Sequence, residues 1–181
     1  MTRLISGSDG SRRLATPPGR DTRPTSDRTR EALFSSLTSL CGSLDGLSFL
    51  DLYAGSGAVG LEAASRGARQ VTLVEKDARA ARVIRANIAA LGASEVELAE
   101  STVKKFLDRA PIAYDVVFID PPYADPVTET LSALAQGWLA PGAIVCVERA
   151  SRDAGPAWPD RIEALQSRRY GDSALWYGRA S

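Results

Sequence analysis

The sequence predicts an α/β fold, a doubly wound and mainly parallel seven-stranded sheet that ends in an antiparallel hairpin. Two observations predict it. Short apolar runs alternate with segments of helical periodicity through the middle of the chain, a pattern typical of parallel sheets with helices on both faces. The last two apolar runs are separated only by Tyr170-Gly171-Asp172-Ser173, and a connection that short joins antiparallel strands.

The predicted elements follow from periodicity and from turn residues. Two short strands, Leu4-Ile5 and Leu14-Ala15, flank a turn at residues 7–10, and a helix follows at about Asp27–Leu40, with Ser26 or Asp27 as its N-cap. The sheet strands are Ser48–Tyr53, Val71–Glu75, Val96–Leu98, Val116–Asp120, Ala143–Glu148, Ile162–Arg169 and Ala174–Gly178. The intervening helices are about Val59–Arg66, Ala78–Leu91, Val103–Arg109 and Pro126–Trp138. We expect residues 1–24 to form a small basic hairpin appendage and residues 25–181 the main domain.

Charge is distributed unevenly along the chain. The 181 residues have a formal net charge of zero, but residues 1–30 contain seven arginines (3, 12, 13, 20, 23, 28 and 30) and three aspartates (9, 21 and 27). This arm therefore carries +4 and the remainder −4. A basic arm on a mildly acidic body fits an appendage that contacts phosphates, and it also fits a solvated tail.

Composition excludes several kinds of site. The chain has no histidine, which excludes a Ser-His-Asp triad and an H-E-x-x-H zinc site. Its two cysteines, Cys41 and Cys146, lie far apart in the sequence, so neither a zinc site nor a disulfide framework is predicted. The Arg-rich N-terminus lacks the apolar core of a secretory signal. We expect a cytoplasmic protein that uses no metal.

A glycine-rich loop follows the first strand of the sheet. Gly55, Gly57 and Gly60 match G-x-G-x-x-G, and Glu75 ends the next strand, where a carboxylate can accept hydrogen bonds from ribose hydroxyls. This pattern suits either a nicotinamide dinucleotide or S-adenosylmethionine. Asp51 favours S-adenosylmethionine, because a carboxylate beside the loop would attract its ammonium group and repel a pyrophosphate. The predicted cofactor residues are Asp51, Tyr53, Ala54, Gly55, Ser56, Gly57, Gly60, Glu75, Lys76 and Thr102, and Asn87 is a further candidate for the adenosine pocket.

The tetrapeptide Asp120-Pro121-Pro122-Tyr123 follows a buried apolar strand. An ionised Asp120 and the carbonyl of Pro121 can each accept a hydrogen bond from a flat –NH2 group, and Tyr123 can stack on the ring that carries it. Two such acceptors would draw the amine hydrogens out of plane and direct the nitrogen lone pair at a methyl donor, which requires no histidine. The motif therefore indicates an amino-methyltransferase with these four residues as its catalytic group, although D-P-P can also simply begin a loop.

A longer segment resembles one family. Residues Arg23–Phe34 read R-P-T-S-D-R-T-R-E-A-L-F, which resembles the R-P-T-x-D-R-x-R-E-x-L-F signature of the RsmD-type 16S ribosomal RNA guanine-N2 methyltransferases. Asp51–Gly60 and Asp120–Tyr123 match that family's cofactor and catalytic motifs in order and spacing. The resemblance implies a class I, Rossmann-like methyltransferase. It also implies methylation of one guanine N2 in 16S ribosomal RNA, within a small ribosomal subunit or its assembly intermediate, by a monomeric enzyme.

The basic arm departs from the family in one respect. The family's arm resembles R-I-I-x-G-x-x-x-G-R-x-L, but Ser11 stands here at the second glycine. The predicted RNA-binding residues are Arg3, Arg12, Arg13, Arg23, Thr25, Arg28 and Arg30. By the motifs alone, the alternatives are methylation of adenine N6 in DNA or RNA or of a protein amide, an NAD-dependent oxidoreductase, and an RNA-binding module without activity.

Overall fold

The computed structural model describes residues 2–17, 26–122 and 127–181. Within them the strands are β1 (Thr2–Arg3), β2 (Arg13–Leu14), β3 (Ser48–Leu52), β4 (Gln70–Glu75), β5 (Val96–Glu100), β6 (Tyr114–Ile119), β7 (Leu139–Ala150), β8 (Ile162–Tyr170) and β9 (Ser173–Ala180). The helices are α1 (Asp27–Cys41), α2 (Ala58–Ser65), α3 (Ala78–Leu91), α4 (Val103–Leu107) and α5 (Val127–Leu134). None of the helices in these ranges combines the length and the apolar character needed to cross a membrane.

Seven strands form one sheet in the order β5-β4-β3-β6-β7-β9-β8. Strands β3 to β7 pair in parallel, whereas β9 pairs antiparallel with both β7 and β8. The predicted fold class is therefore confirmed, including the closing hairpin. The order reverses direction at β3, and this places the carboxyl ends of β3 and β6 side by side at the switch point, where ligands bind in open α/β sheets.

Side chains of each strand alternate between two apolar cores. Phe49 and Phe118 lie on the face covered by α1, α2 and α3, in the core that also contains Leu33, Leu61 and Ile84. Leu50 and Val117 lie on the other face, in the core that contains Phe106 and Leu131 from α4 and α5. Because both faces are covered, the central strands are apolar almost throughout rather than alternating.

Two element boundaries differ most from the prediction. Pro141-Gly142 was expected to precede the fifth sheet strand, but β7 begins at Leu139 and contains both residues at an irregularity of the β6–β7 register. A proline is tolerated there because an irregular ladder needs no N–H from it. Helix α5 ends at Leu134 instead of Trp138. The Trp138 ring is buried beside Phe106, with ring centroids 5.0 Å apart, so its burial reflects packing rather than helix continuation.

The N-terminal strands form an antiparallel pair that packs on the main sheet domain. They lie at Thr2–Arg3 and Arg13–Leu14, slightly earlier than the predicted Leu4-Ile5 and Leu14-Ala15. We call residues 2–17 the N-terminal hairpin segment. Leu4 and Leu14 are buried in the core shared with α1 and α2, so the described part of the basic arm adds apolar packing to the domain. The predicted division after residue 24 lies among residues that are not described.

Candidate active site

Four adjacent parallel strands each carry an acidic side chain at or near the carboxyl end. They are Glu75 of β4, Asp51 of β3, Asp120 directly after β6, and Glu148 of β7. Each acid follows by two residues an apolar residue of the core that faces α1 to α3, namely Leu73, Phe49, Phe118 or Cys146. Residues two apart in a strand point to the same face of the sheet. The sheet therefore places all four carboxylates on one face and at one end, and we call them the strand-end acids. All four line one cavity of about 1380 Å³.

The glycine-rich loop is built around Asp51. Oδ2 of Asp51 accepts a hydrogen bond from the backbone N–H of Gly60 at 3.0 Å, across the first turn of α2. A Cβ at Gly60 would overlap a methyl carbon of Leu73, so only glycine lets α2 approach β4 this closely. Gly57 is the N-cap of α2 and has a φ of 79°, a left-handed conformation that favours glycine.

Glu75 holds the same loop from the neighbouring strand. Its Oε2 accepts from the backbone N–H of Gly55, and its Oε1 accepts from that of Asp77, both at 2.8 Å. Each carboxylate oxygen has two lone-pair sites. Glu75 can therefore shape the loop and still accept hydrogen bonds from the hydroxyls of a ligand.

The pKa of Asp51 is raised to about 8. The main cause is burial, since its side chain is almost wholly removed from solvent, and the negative charge of Glu75 adds to it, whereas the Gly60 hydrogen bond acts in the opposite direction. A ligand cation beside Asp51 would favour its charged form. The site is thus electrostatically suited to a ligand that carries positive charge.

Asp120 and Pro121 directly follow β6, between the strand of Asp51 and that of Glu148. The pKa of Asp120 lies well above its ordinary range, first because of burial, then because of the charge of Glu148, and then that of Asp51. Pro121 is buried and Pro122 is exposed, and both line the cavity beside Asp120. The last predicted catalytic residue, Tyr123, lies outside the described residues.

Most predicted cofactor residues lie in this cavity. The lining includes Asp51, Tyr53, Ala54, Gly55, Ser56, Glu75, Lys76 and Thr102. Gly57 and Gly60 lie behind it in the loop–helix junction. Thr102 also caps α4, because its side chain accepts a hydrogen bond from the backbone N–H of Lys105. Tyr53 adopts a φ of 67°, an uncommon conformation for a side chain of this size, at the point where the chain leaves β3.

The predicted RNA-binding arginines have different surroundings. Arg3, Arg13 and Arg28 are exposed, and Arg28 lines the cavity. Arg12 is exposed but donates hydrogen bonds to Asp9 and to the carbonyl of Ala90. Arg23 and Thr25 lie outside the described residues.

Arg30 was expected to contact RNA, but its side chain is fully buried. Its guanidinium donates to the hydroxyl of Thr2, to the carbonyl of Arg3 and to the carboxylate of Asp27. Burial lowers its pKa, although Asp27 and Glu62 act against that shift. Arg30 therefore holds β1 against α1, and its buried guanidinium is not exposed for direct contact with RNA.

Other residues of the cavity were not anticipated from the sequence. Glu148 is the most prominent, and its position near the end of an apolar strand resembles the signal that identified Glu75. The turn between β8 and β9 also lines the cavity, together with part of α5 and Arg149. These contacts join residues far apart in the chain, so no local pattern indicates them. Among the described residues, no three acidic or thiol side chains are grouped as a metal ion would require.

A known structure shares the whole architecture. A protein from Escherichia coli assigned as a methyltransferase, yhhF, superposes with a TM-score of 0.89 at 33% identity, covering 99% of this chain and 98% of that one. Together with the glycine loop and the strand-end acids, this similarity defines a class I, Rossmann-like methyltransferase.

Comparison with known sequences narrows the class to one family. Proteins named ribosomal RNA small subunit methyltransferase D are 36% identical in Escherichia coli strain K12, over 87% of this chain and 79% of that protein, and 35% identical in Haemophilus influenzae, over 81% and 77%. The model of the family described as conserved hypothetical protein 95 matches residues 2–179. The chain belongs to this RsmD-type family, and the resemblance noted in its sequence is confirmed.

Proposed function

We propose that this protein transfers a methyl group from S-adenosylmethionine to the exocyclic N2 amine of a guanine in 16S ribosomal RNA, within a small ribosomal subunit or its assembly intermediate. The observation that carries the proposal is the row of strand-end acids. Asp51 and Glu75 lie beside the glycine loop, and Asp120 lies one strand further along the same cavity. A donor site and an acceptor site thus open into one space.

The residues fit the proposed cofactor. The buried Asp51, whose pKa is about 8, suits the ammonium of the methionine moiety, and the remaining lone pairs of Glu75 suit ribose hydroxyls. Lys76 and Thr102 line the space beyond Glu75. When bound, S-adenosylmethionine supplies an electrophilic methyl group on a sulfonium that already carries positive charge.

Asp120 and Pro121 are the residues proposed to hold the target amine, which accepts the methyl group. The carboxylate of Asp120 and the carbonyl of Pro121 would accept the two hydrogens of the target amine and align its lone pair for in-line attack. Asp120 is only partly exposed, so these hydrogen bonds would form in a poorly hydrated space, where they are stronger than in water. Asp120 would also accept the proton that the amine releases after attack.

The proposed RNA surface combines the hairpin segment with the cavity rim. Arg3 and Arg13 are exposed on the hairpin, and Arg28 lies at the rim, on the first turn of α1. Exposed arginines at such a rim would bind phosphates while one base reaches Asp120. The names of the relatives refer to small-subunit ribosomal RNA, which supports this class of substrate. The cytoplasmic location expected from the sequence and the monomeric state implied by the family resemblance stay predictions.

Mass spectrometry of ribosomal RNA tests the function. Cells that lack the gene should lose one N2-methylguanine from 16S ribosomal RNA, and the cloned gene should restore it. Purified protein with labelled S-adenosylmethionine should then methylate subunits from the deletion strain at the same nucleotide. An unchanged level of N2-methylguanine in the deletion strain would refute the proposal.

A further inference from the structure

We propose that Glu148 is the residue that selects guanine, by accepting a hydrogen bond from the N1–H of the base whose N2 amine is held by Asp120. This assignment rests on the proposed function. It is a separate claim, because neither the glycine loop nor the D-P-P motif requires an acid at this position.

Strand pairing places the two carboxylates side by side. In the parallel pair β6–β7, Phe118 is opposite Cys146, and Ile119 is opposite Val147. Asp120 follows Ile119, and Glu148 follows Val147. Both therefore point to the same face of the sheet as Phe118 and Cys146. Neighbouring strands lie about 4.8 Å apart, so these carboxylates can reach adjacent hydrogens of one base. The electrostatic effect of Glu148 on Asp120 agrees with this proximity.

The surroundings of Glu148 favour a role in recognition. Its side chain is 7% exposed, yet it lines the same cavity as Asp120 and Pro121. The negative charge of Glu148 raises the pKa of Asp120, so the two carboxylates repel each other. A ligand that donates N–H groups to both carboxylates would lower this repulsion.

Guanine presents such a set of donors. Its Watson–Crick edge has the N1–H next to the two hydrogens of the N2 amine, three donors in a row. Adenine has an unprotonated N1, which a carboxylate would repel. Asp120, the Pro121 carbonyl and Glu148 together offer acceptors for all three hydrogens of guanine. A site that hydrogen-bonds a polar group of its substrate rejects analogues that lack it.

The test compares two bases in two enzymes. Once the modified guanine has been located, small-subunit RNA can be assembled by ligation with either guanine or 2-aminopurine at that nucleotide. 2-Aminopurine keeps the N2 amine but has no N1–H. The wild-type protein should prefer guanine in kcat/KM by about tenfold or more, the loss typical of a hydrogen bond to a charged group. Glu148→Gln should lose most of that preference, mainly through slower methylation of guanine.

Controls separate recognition from support of the fold. Glu163→Gln, at an exposed position of β8 near the opposite end of the sheet, should keep the wild-type preference. S-Adenosylmethionine affinity by calorimetry should be unchanged in Glu148→Gln. If that variant does not fold, Glu148→Asp keeps the charge and should retain part of the preference.

Two outcomes for Glu148→Gln would overturn this assignment without affecting the proposed function. One is an equal loss of kcat/KM on guanine and on 2-aminopurine, and the other is a preference for guanine equal to that of the wild type. A wild-type protein that methylates no guanine of the small subunit would instead overturn the proposed function, and the assignment with it.

Discussion

Asn87 and Ala15 form a two-point hydrogen bond. Oδ1 of Asn87 accepts from the backbone N–H of Ala15 at 2.9 Å, and Nδ2 donates to the carbonyl of Ala15 at 3.0 Å. The same Nδ2 lies 3.4 Å from the carbonyl of Ser56 in the glycine-rich loop. One buried side chain of α3 thus contacts both the N-terminal hairpin segment and the loop of the proposed cofactor site.

Replacing Asn87 by alanine should loosen both contacts. We expect the free energy of unfolding to fall by about 1–3 kcal/mol, because the two hydrogen bonds between the buried Asn87 and the backbone of Ala15 are lost. The exchange rate of the Ala15 amide hydrogen should rise, and S-adenosylmethionine affinity should fall. Gln136→Ala, at an exposed position after α5, is the matched control. Unchanged exchange at Ala15 would contradict the predicted role.

Asp120→Ala should lower the rate of methyl transfer by at least about 100-fold, the loss that follows removal of one positioned electrostatic contact. Cofactor affinity should change little, since Asp120 acts on the target amine. Calorimetry and a single-turnover assay measure the two effects separately. Asp160→Ala, exposed and outside the cavity, serves as the control. Loss of cofactor binding in Asp120→Ala would assign this residue to the donor site instead.

Cofactor binding should depend on pH through Asp51. The free protein holds a proton on this group up to a pKa of about 8, whereas a bound ammonium favours the charged carboxylate. Binding should therefore release a proton at pH 6–7, and affinity should rise toward tenfold per pH unit in that range. Calorimetry in two buffers of different ionisation enthalpy counts the proton. Asp51→Asn should bind more weakly and without proton release, and a release that persists in this variant would point to another group.

The exposed arginines should determine how RNA binding depends on salt. Deleting the hairpin segment would also remove the buried Leu4 and Leu14, so we expect substitutions to be the sharper test. Changing Arg3, Arg13 and Arg28 to glutamine should reduce the slope of log affinity against log salt by about 0.7 for each of these arginines that neutralises a phosphate. Arg161→Gln, at the end of the sheet away from the cavity, is the control. A slope equal to that of the wild type would mean that these arginines do not bind RNA.

Ser11 adopts a φ of 71°, at the position where the related family has glycine. Ser11→Gly should raise the free energy of unfolding by up to about 1 kcal/mol, because glycine tolerates this conformation. Ser11→Ala keeps the unfavourable conformation and should give no gain. Chemical denaturation measures both variants. Equal stability of the two variants would show that the backbone conformation costs little here.

The sequence alone determined the fold class, and it predicted the principal groups of the candidate site. Alternation of strands and helices predicted the parallel sheet, because side-chain burial in such a sheet depends on local periodicity. The residues after β3 and β6 predicted a donor loop and an acceptor motif, because glycine spacing and D-P-P have direct steric and hydrogen-bonding consequences. Asn87, in contrast, is predicted to line the adenosine pocket, and its shortest hydrogen bonds are to Ala15 of the hairpin segment.

Only the tertiary structure decided which distant residues meet. Glu62 of α2 accepts hydrogen bonds from the backbone N–H groups of Ile5 and Ser6 at 2.7 and 3.0 Å, and these bonds hold the expected N-terminal hairpin against the domain. Arg30 is buried against β1, and Glu148 stands beside Asp120. Each of these relationships depends on strand order or helix packing between residues far apart in the chain, which no local pattern of amino acids encodes.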